Sequence, residues 1–478
     1  MVPAELPSGD AGDLPLAVDL DGTLIRSDTL VENWLSALRT APLTALAAPF
    51  YLLRGKAFMK ARLAAVADID AARLPYNEDF LGYLKAEKAR GRQLILATAS
   101  HIDTARKIAD HLGLFDDVIG TDAASNLRGP AKAAMLRARF GEQGFAYAGN
   151  DRHDLVVWRD AGGAVLVDLP PGLSKAVDAP VERTFPPASG QWRELIRGMR
   201  LYQWVKNILV FLPLVTANAL GDTAAVLIAT ATFLIFGLVA SGVYLLNDLT
   251  DLEADRAHPE KRLRPFASGA VPLTRGLIFG PLLILAGLLG AWFLSPMLAA
   301  VVLVYAVVTT LYSLVLKTLP LVDVFVLAFL YTLRVIAGGV ATGYLPTIWL
   351  LSFSSFFFLS LAFAKRYVEV SGAAEKGEMK RRGYLTSEDV LLLVMGAASA
   401  FSAAIVLAIY VESSVAEATY SRPLAIWIFV PLCLFWQCRI WLAAVRDQVS
   451  HDPILFASRD KVSWAVILSA VGIYLIAA

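Results

Sequence analysis

Cysteine is nearly absent: two occur in 478 residues, Cys433 and Cys438, both inside one late apolar segment. That excludes a disulfide framework and a cysteine metal cage. Charge is scarce as well, at 18% of residues against 57% hydrophobic, and between Ala224 and Leu246 there is none. A soluble globular chain carries about a quarter charged residues, so this composition implies an integral membrane protein. The shortage is uneven: residues 1 to about 190 read as ordinary soluble sequence, and the remainder as segment after segment of ~20 apolar residues. A net charge of +1 shows no basic excess and argues against a nucleic-acid partner. The opening residues, MVPAELPSGDAGDLP, lack the basic-then-apolar pattern of a signal peptide, so the first domain is expected to stay in the cytoplasm.

In the first part short β-type runs alternate with helical stretches: LPLAVDL near 14, QLILATA near 93, DVIGT near 117, FAYAG near 145 and AVLVDL near 164. That is the pattern of an α/β doubly wound, Rossmann-like parallel sheet. Residues 26 to about 90 form a helical insertion too long for a plain connection, which predicts a cap. The boundaries expected are an α/β domain over 1–169, a Pro-rich linker over 170–190, and an all-α polytopic membrane domain over 191–478. Within the cap, PLTALAAPFYLL (42 to 53) is too short to span a bilayer. Burial inside the cap is its expected account, with contact to the bilayer surface as the alternative.

About nine transmembrane spans are expected, centred near 210, 235, 286, 306, 333, 355, 400, 431 and 469. Basic residues follow the even-numbered spans, among them Arg256, Lys261, Arg262 and Arg264, then Lys317, then Lys365, Arg366, Lys380, Arg381 and Arg382, and finally Arg446, Arg459 and Lys461. The intervening segments ANALGDT, LSPM and ATGYLPT have no Lys or Arg. The positive-inside rule then puts the N-terminal domain in the cytoplasm, in a multi-pass inner membrane protein whose C-terminus lies outside.

After the second span the chain reads NDLTDLEADRAHPEKRLRP, 247 to 265. On a continuous helix Asn247, Asp248, Asp251 and Asp255 would share one face over about two turns. A row of carboxylates repels itself unless a cation sits there, and Mg²⁺ shared with substrate phosphates is the natural one. Arg256, Lys261, Arg262 and Arg264 would take the remaining phosphate oxygens; a solvated, charge-balanced loop is the bland alternative. Arg334 lies eleven residues, about 17 Å of helix, beyond Asp323 and so inside the bilayer. It is expected to face a polar substrate cavity, or else a structural ion pair. Lys365, Arg366 and Glu369 occupy one turn at the end of the sixth span, as a wall of the site or as a headgroup anchor. Lys206 and Lys317 are weaker phosphate-binding candidates, since either can snorkel.

NDLTDLEAD resembles the NDxxDxxxD signature of the UbiA superfamily of intramembrane prenyltransferases, which implies Mg²⁺ and a diphosphate at Asn247, Asp248, Asp251 and Asp255. QWVKN (203 to 207), TLRVIAGGVATG (332 to 343), AKRYVE (364 to 369) and DPILFASRDK (452 to 461) extend the likeness to the decaprenyl-phosphate phosphoribosyltransferase branch. That resemblance implies phosphoribosyl pyrophosphate and a polyprenyl phosphate as partners, together with the lipid bilayer.

VDLDGT, 18 to 23, puts two aspartates at the end of the first strand, where doubly wound folds bind ligands. A carboxylate nucleophile beside a carboxyl acid suits phosphoryl transfer. With LATAS (96 to 100), Lys132 and GNDRHD (149 to 154), the stretch resembles the haloacid dehalogenase (HAD) superfamily of phosphatases. The resemblance implies Asp19 as nucleophile, Asp21 as acid and base, Thr98 on the phosphate and Lys132 as the steadying cation. It implies Mg²⁺ on Asp19, the Asp21 carbonyl and position 150. There the family usually has Asp and this chain has Asn150, a ligand without charge for which Asp151 or Asp154 would compensate. A phosphatase that removes the 5-phosphate left by the membrane domain is the joint expectation. An aromatic-acceptor prenyltransferase, a transporter with a regulatory HAD domain and a HAD scaffold without activity are the alternatives.

Overall fold

The computed structural model describes residues 14–122, 125–187, 189–375, 380–381, 383–449 and 452–477. The opening thirteen residues, on which the signal-peptide expectation rested, lie outside the described residues, as does Arg382. The chain divides into two compact units: residues 1–198 with 248–278, and residues 199–247 with 279–478.

The first unit is built on six strands, β1 (Leu16–Val18), β2 (Leu94–His101), β3 (Asp117–Thr121), β4 (Ala146–Gly149), β5 (Gly163–Val167) and β6 (Val181–Phe185). They lie in the order β3-β2-β1-β4-β5-β6 and every pairing is parallel. The central strands are short apolar runs with no alternation because helices cover both faces. Leu16, Ala17 and Val18 are all fully buried, as are Leu94 to Ala97. The order turns at β1, so the loop after it opens at the switch point, where an α/β sheet leaves a crevice. The expected linker is part of this sheet: Val181–Phe185 pairs with β5, and helix Pro171–Ser174 precedes it. Its prolines disguised the strand, which sits at the sheet edge, where proline is tolerated.

The cap is smaller than the sequence suggested. Helices Thr29–Thr40, Pro42–Leu46, Ala48–Leu52 and Lys56–Ala64 pack around Ala37, Ala45, Ala48 and Leu63. Helix Glu78–Ala89 belongs to the sheet, because Phe80 and Leu84 are fully buried in one core with Leu16, Val18 and Leu96. Contrary to expectation, the short apolar run is not consumed inside the cap. Ala45 and Ala48 are buried there, while Leu43, Leu46, Phe50 and Leu53 remain exposed.

Residues 248–278 complete this unit. Helix Leu252–Ala257 and the 3-10 turn Lys261–Leu263 lead to buried Phe266 and Ala267. Gly269 has φ +72°, and a Cβ there would stand 2.7 Å from the Cβ of Arg26, so only glycine fits between this loop and the start of the cap.

Among the described residues, seven helices are long and apolar enough to cross a membrane: Thr223–Thr250, Leu273–Leu294, Pro296–Leu314, Val322–Thr342, Ile348–Ala373, Thr386–Val411 and Pro423–Val445. Helices Pro453–Arg459 and Lys461–Ala477, bent by 82° at their junction, make an eighth if taken as one broken span. The expected span near 210 is instead a 3-10 stretch, Leu201–Phe211, running into the five-residue helix Leu212–Thr216. Its apolar run is interrupted by Lys206 and Asn207, whose side chains turn inward to protein partners, and Pro213 opens the short helix. Small residues set the packing distance, as is usual between membrane helices. A Cβ on Gly242 would stand 2.5 Å from the carbonyl oxygen of Gly280, and one on Gly338 2.0 Å from that of Val210.

Candidate active sites

The crevice beyond β1 is a cleft of about 500 Å³ lined by Asp19, Asp21, Lys132, Asn150 and Asp154. Five positions spread over 135 residues of sequence thus meet as expected. Gly22, at φ +73°, lets the chain turn there, and a Cβ would stand 2.2 Å from Asn150 Nδ2. Lys132 donates to Asp19 Oδ1 at 2.8 Å and to the Tyr147 hydroxyl at 2.7 Å, and that hydroxyl donates to Asp154 Oδ1 at 2.7 Å. Asp154 Oδ2 accepts the backbone N–H of Asn150 and of Asp151, each at 3.0 Å. Asp154, expected as a metal ligand, is therefore engaged on both oxygens and holds the Asn150 loop and the lysine in place. Asp151 caps the 3-10 turn Arg152–Asp154.

Asp21 accepts from Thr29 N at 2.8 Å and Thr29 Oγ1 at 3.2 Å, and Ser100 Oγ lies 2.5 Å away. Thr98, the expected phosphate ligand, is buried instead, and its hydroxyl accepts from Ser100 N at 3.0 Å. Ser100 takes its place on the cleft wall. Burial raises the Asp19 carboxyl to about 6, with Lys132 opposing and Asp154 adding to the rise. Burial and the nearby Asp28 raise Asp21 to about 7, against its hydrogen bonds from Ser100 and Thr29. A carboxyl neutral near pH 7 can donate a proton, and one paired with a lysine can attack. Three carboxylates beside one lysine, Asp154 buried and Asp19 and Asp21 half-buried, also call for a cation. Asp19, the Asp21 carbonyl and the Asn150 amide oxygen are hard donors of the kind Mg²⁺ takes. Among the described residues no three His, Cys, Asp or Glu side chains form a cage by themselves.

The acidic motif is broken into two helices. Thr223–Thr250 ends before Asp251, and Leu252–Ala257 begins after it, with Asp255 N donating to Asp251 O at 2.8 Å. The expected continuous face is lost. Asn247 turns its amide to Ser313 Oγ, 2.7 Å. Asp248 and Asp255 still converge: they are 3% and 2% exposed, and Arg264 Nη1 donates to both, at 3.2 and 2.6 Å. Burial raises the Asp255 carboxyl, and Arg264 opposes that rise. The pair is built for a cation, and the guanidinium now fills that role. Arg256, expected on phosphate, is bound to Glu32 and to Ala267 O. Lys261 is half-buried and Arg262 exposed.

Inside the membrane unit Arg334 is 5% exposed; it donates to Asn207 Oδ1 at 3.0 Å, Tyr305 OH at 2.9 Å and Leu330 O at 2.5 Å. All three of these partners are neutral groups. Lys206 pairs with Asp452, with both side chains 10% exposed. Arg366 is fully buried between Asp323 and Glu369, and Tyr384 donates to Asp323 at 2.7 Å. Arg366 is thus a structural tie, whereas the sequence offered it as a wall of the site; Lys365 and Lys317 are half-buried. Sequence reasoning missed Glu32, Ser100, Tyr147 and Asp323 as partners. Asn207 and Asp452 sat in the quoted islands QWVKN and DPILFASRDK without a role.

Comparison with known proteins adds the following. The model of the UbiA prenyltransferase family matches residues 208–476, more than half of the chain, and that of haloacid dehalogenase-like hydrolases matches 16–157. An uncharacterized protein of Sinorhizobium fredii, y4nM, is 40% identical over 95% of this chain and 89% of its own. Nodulation protein NoeC of Azorhizobium caulinodans is 32% identical over 56% of this chain and 88% of its own. Decaprenyl-phosphate phosphoribosyltransferase of Mycobacterium tuberculosis is 39% identical over 39% of this chain, and the match spans 64% of that protein. The chain is a multi-pass membrane protein that belongs to the UbiA family of transferases and carries a HAD-type hydrolase domain ahead of its membrane helices.

Proposed function

We propose that the membrane unit and its acidic motif transfer a 5-phosphoribosyl group from phosphoribosyl pyrophosphate to a polyprenyl phosphate, and that the HAD domain then removes the 5-phosphate. The observation that carries this reading is the buried pair Asp248 and Asp255 held on one guanidinium of Arg264 at the end of a membrane helix. The partial likeness to a decaprenyl-phosphate phosphoribosyltransferase supports a phosphoribosyl group as what is transferred and a polyprenyl phosphate as its acceptor.

In the first step an oxygen of the polyprenyl phosphate forms a bond to ribose C1 while the C1–O bond to pyrophosphate breaks. The electron pair leaves with pyrophosphate. Mg²⁺ on the Asp248 and Asp255 carboxylates would neutralise charge growing on that leaving group. Arg264, released from the carboxylates by the metal, would turn its donors to the same oxygens. The acceptor is already ionised and needs no strong base. Lys365 and Arg334 are proposed substrate-facing cations, and Lys206, Lys261, Arg262 and Lys317 secondary ones.

In the second step Asp19 attacks the 5-phosphate phosphorus, the ester bond to the ribose oxygen breaks, and Asp21 supplies the proton to that oxygen. Water then cleaves the aspartyl phosphate, with Asp21 taking the proton back. Lys132 holds Asp19 in position, and Ser100 lies at the wall where a phosphate oxygen needs a donor. Both steps would take place on the cytoplasmic side, to which the positive-inside rule assigns the basic loops.

The test is incubation of the full-length protein with polyprenyl phosphate, Mg²⁺ and phosphoribosyl pyrophosphate labelled separately in ribose carbon and in the 5-phosphate. Ribose label entering lipid, with 5-phosphate label appearing as inorganic phosphate, supports both steps. With Asp19→Asn both labels should stay in lipid. No label in lipid from active protein would move the reading to a prenyl diphosphate donor.

A further inference from the structure

We propose that the cap of the HAD domain docks on an anionic bilayer surface through its two shortest helices, so that the phosphatase cleft opens onto lipid-borne phosphomonoesters. Leu43 and Leu46 on Pro42–Leu46, Phe50 on Ala48–Leu52, and Leu53 just after it are 83, 65, 72 and 85% exposed. Four large apolar side chains this exposed on two consecutive short helices are disfavoured by water, which marks a binding surface.

The charge around the tip identifies what it binds. From residue 33 to residue 67 the chain has five basic residues, Arg39, Arg54, Lys56, Lys60 and Arg62, and no acidic one. Arg39 is paired with Glu253, and the other four are the only remaining charges of this stretch of cap; exposed apolar side chains on a segment whose own charges are all basic have the composition of an interfacial membrane element, with anionic headgroups meeting the cations. A protein partner would need complementary acids and an apolar pocket, whereas the bilayer is already present for a chain with seven helices, among the described residues, long and apolar enough to cross a membrane.

The tip is continuous with the cleft. Leu52, Lys56 and Met59 line the cleft on the cap side, and Pro272, Leu273 and Thr274 line it as well. Leu273 is the first residue of a 22-residue membrane-crossing helix. The cleft therefore has a membrane-helix mouth in its wall and the apolar tip at its rim. A substrate whose phosphate reaches Asp19 while its chain stays in lipid fits this arrangement. Lys60, which donates to Ala99 O at 2.6 Å and Asn126 Oδ1 at 3.0 Å, and Lys56 would face a second anionic group of such a lipid.

The docking stands on geometry and composition; only its consequence for turnover rests on the phosphatase reading, and two measurements separate them. In the first, nitroxide labels are placed at Leu43→Cys, Phe50→Cys and Leu53→Cys in a full-length Cys433→Ser, Cys438→Ser background. The control is Lys85→Cys on the exposed side of Glu78–Ala89. In bilayers containing phosphatidylglycerol the three tip labels should collide with oxygen and be shielded from a water-soluble nickel complex. The control should behave in reverse. Tip labels in aqueous contact, or spin-spin broadening between two copies without lipid contact, would overturn the proposal. In the second, Leu43→Ser, Phe50→Ser and Leu53→Ser are combined. Hydrolysis of a bilayer-borne phosphomonoester should fall about tenfold while that of a small soluble phosphomonoester holds. An equal loss on both substrates would sink the consequence for turnover and leave the docking to the labels.

Discussion

Arg256 and Glu32 lie 224 positions apart in sequence, yet two hydrogen bonds, of 2.7 and 3.1 Å, join them, with both side chains 5% exposed. Glu32 lies in the first turn of the helix whose first residue, Thr29, donates to Asp21. Arg256 is the residue after Asp255 of the acidic motif. One turn of helix therefore connects the proposed acid of the phosphatase to the loop of the transferase. Removing one partner of a buried pair leaves the other charge uncompensated, which costs about 3–5 kcal/mol. Glu32→Ala should lower the apparent unfolding midpoint of the HAD domain in the full-length protein, and Glu32→Leu with Arg256→Met should recover most of it. A single variant indistinguishable from the parent would show the pair to be idle.

Separate sites predict separable losses. Asp248→Ala should cut ribose transfer to lipid at least ~100-fold, as expected for a main electrostatic element of a transition state, and leave hydrolysis of a soluble phosphomonoester intact. Asp19→Asn should do the converse. Each is read from the same preparation by the two labels, and a joint loss from either variant would contradict two independent centres.

Position 150 tests the missing charge. Asn150→Asp adds a carboxylate among hard oxygen donors, and its backbone stays pinned by Asp154. The Mg²⁺ concentration for half-maximal phosphate release should drop several-fold, to about a tenth. An unchanged requirement would mean that position 150 is not a ligand.

The Asp21 carboxyl is lifted to about 7 partly by Asp28. Asp28→Asn removes the like charge but keeps an oxygen for the N–H groups of Leu30 and Val31 at the helix start. A weaker like charge means a lower carboxyl pKa. The protonated acid is then lost at lower pH, so the alkaline limb of phosphatase activity should move toward acid. A pH profile with that limb in place would remove Asp28 from the account.

In the membrane unit Arg366 and Asp323 are both fully buried. Arg366→Met strands the aspartate, with Tyr384 as its remaining donor, and should destabilise the unit by about 3–5 kcal/mol. Arg366→Met together with Asp323→Leu should be far milder. Thermal unfolding in detergent, followed by helix signal, checks both.

Strand-end aspartates at a sheet switch point, and a run of acids closing an apolar helix, are local patterns, so Asp19, Asp21, Asp248 and Asp255 were legible in the sequence. What was not legible depends on distance or on small angles. Thr98 and Ser100 are two residues apart on one strand, and only the path of the strand end decides which faces the cleft. Glu32 acts on a partner 224 positions away, and Tyr147 links Lys132, fifteen positions before it, to Asp154. The break at Asp251 and the short helix at Pro213 are local, but propensity alone does not mark the first. The strand Val181–Phe185 was hidden by flanking prolines that read as linker. Leu43 and Phe50 looked like core because apolar residues usually are, and exposure is set by neighbours the sequence does not name.

Gly269 lies within 3 Å of both Arg26 and Pro75, were it to carry a Cβ. Residues 248–278, which leave one membrane helix and enter the next, are thereby part of the α/β unit's own body. The HAD domain is therefore not a cassette that ends near residue 190. A fragment ending there would lack the face that covers Glu32, and a membrane half without it would carry a motif loop with no bed to lie in.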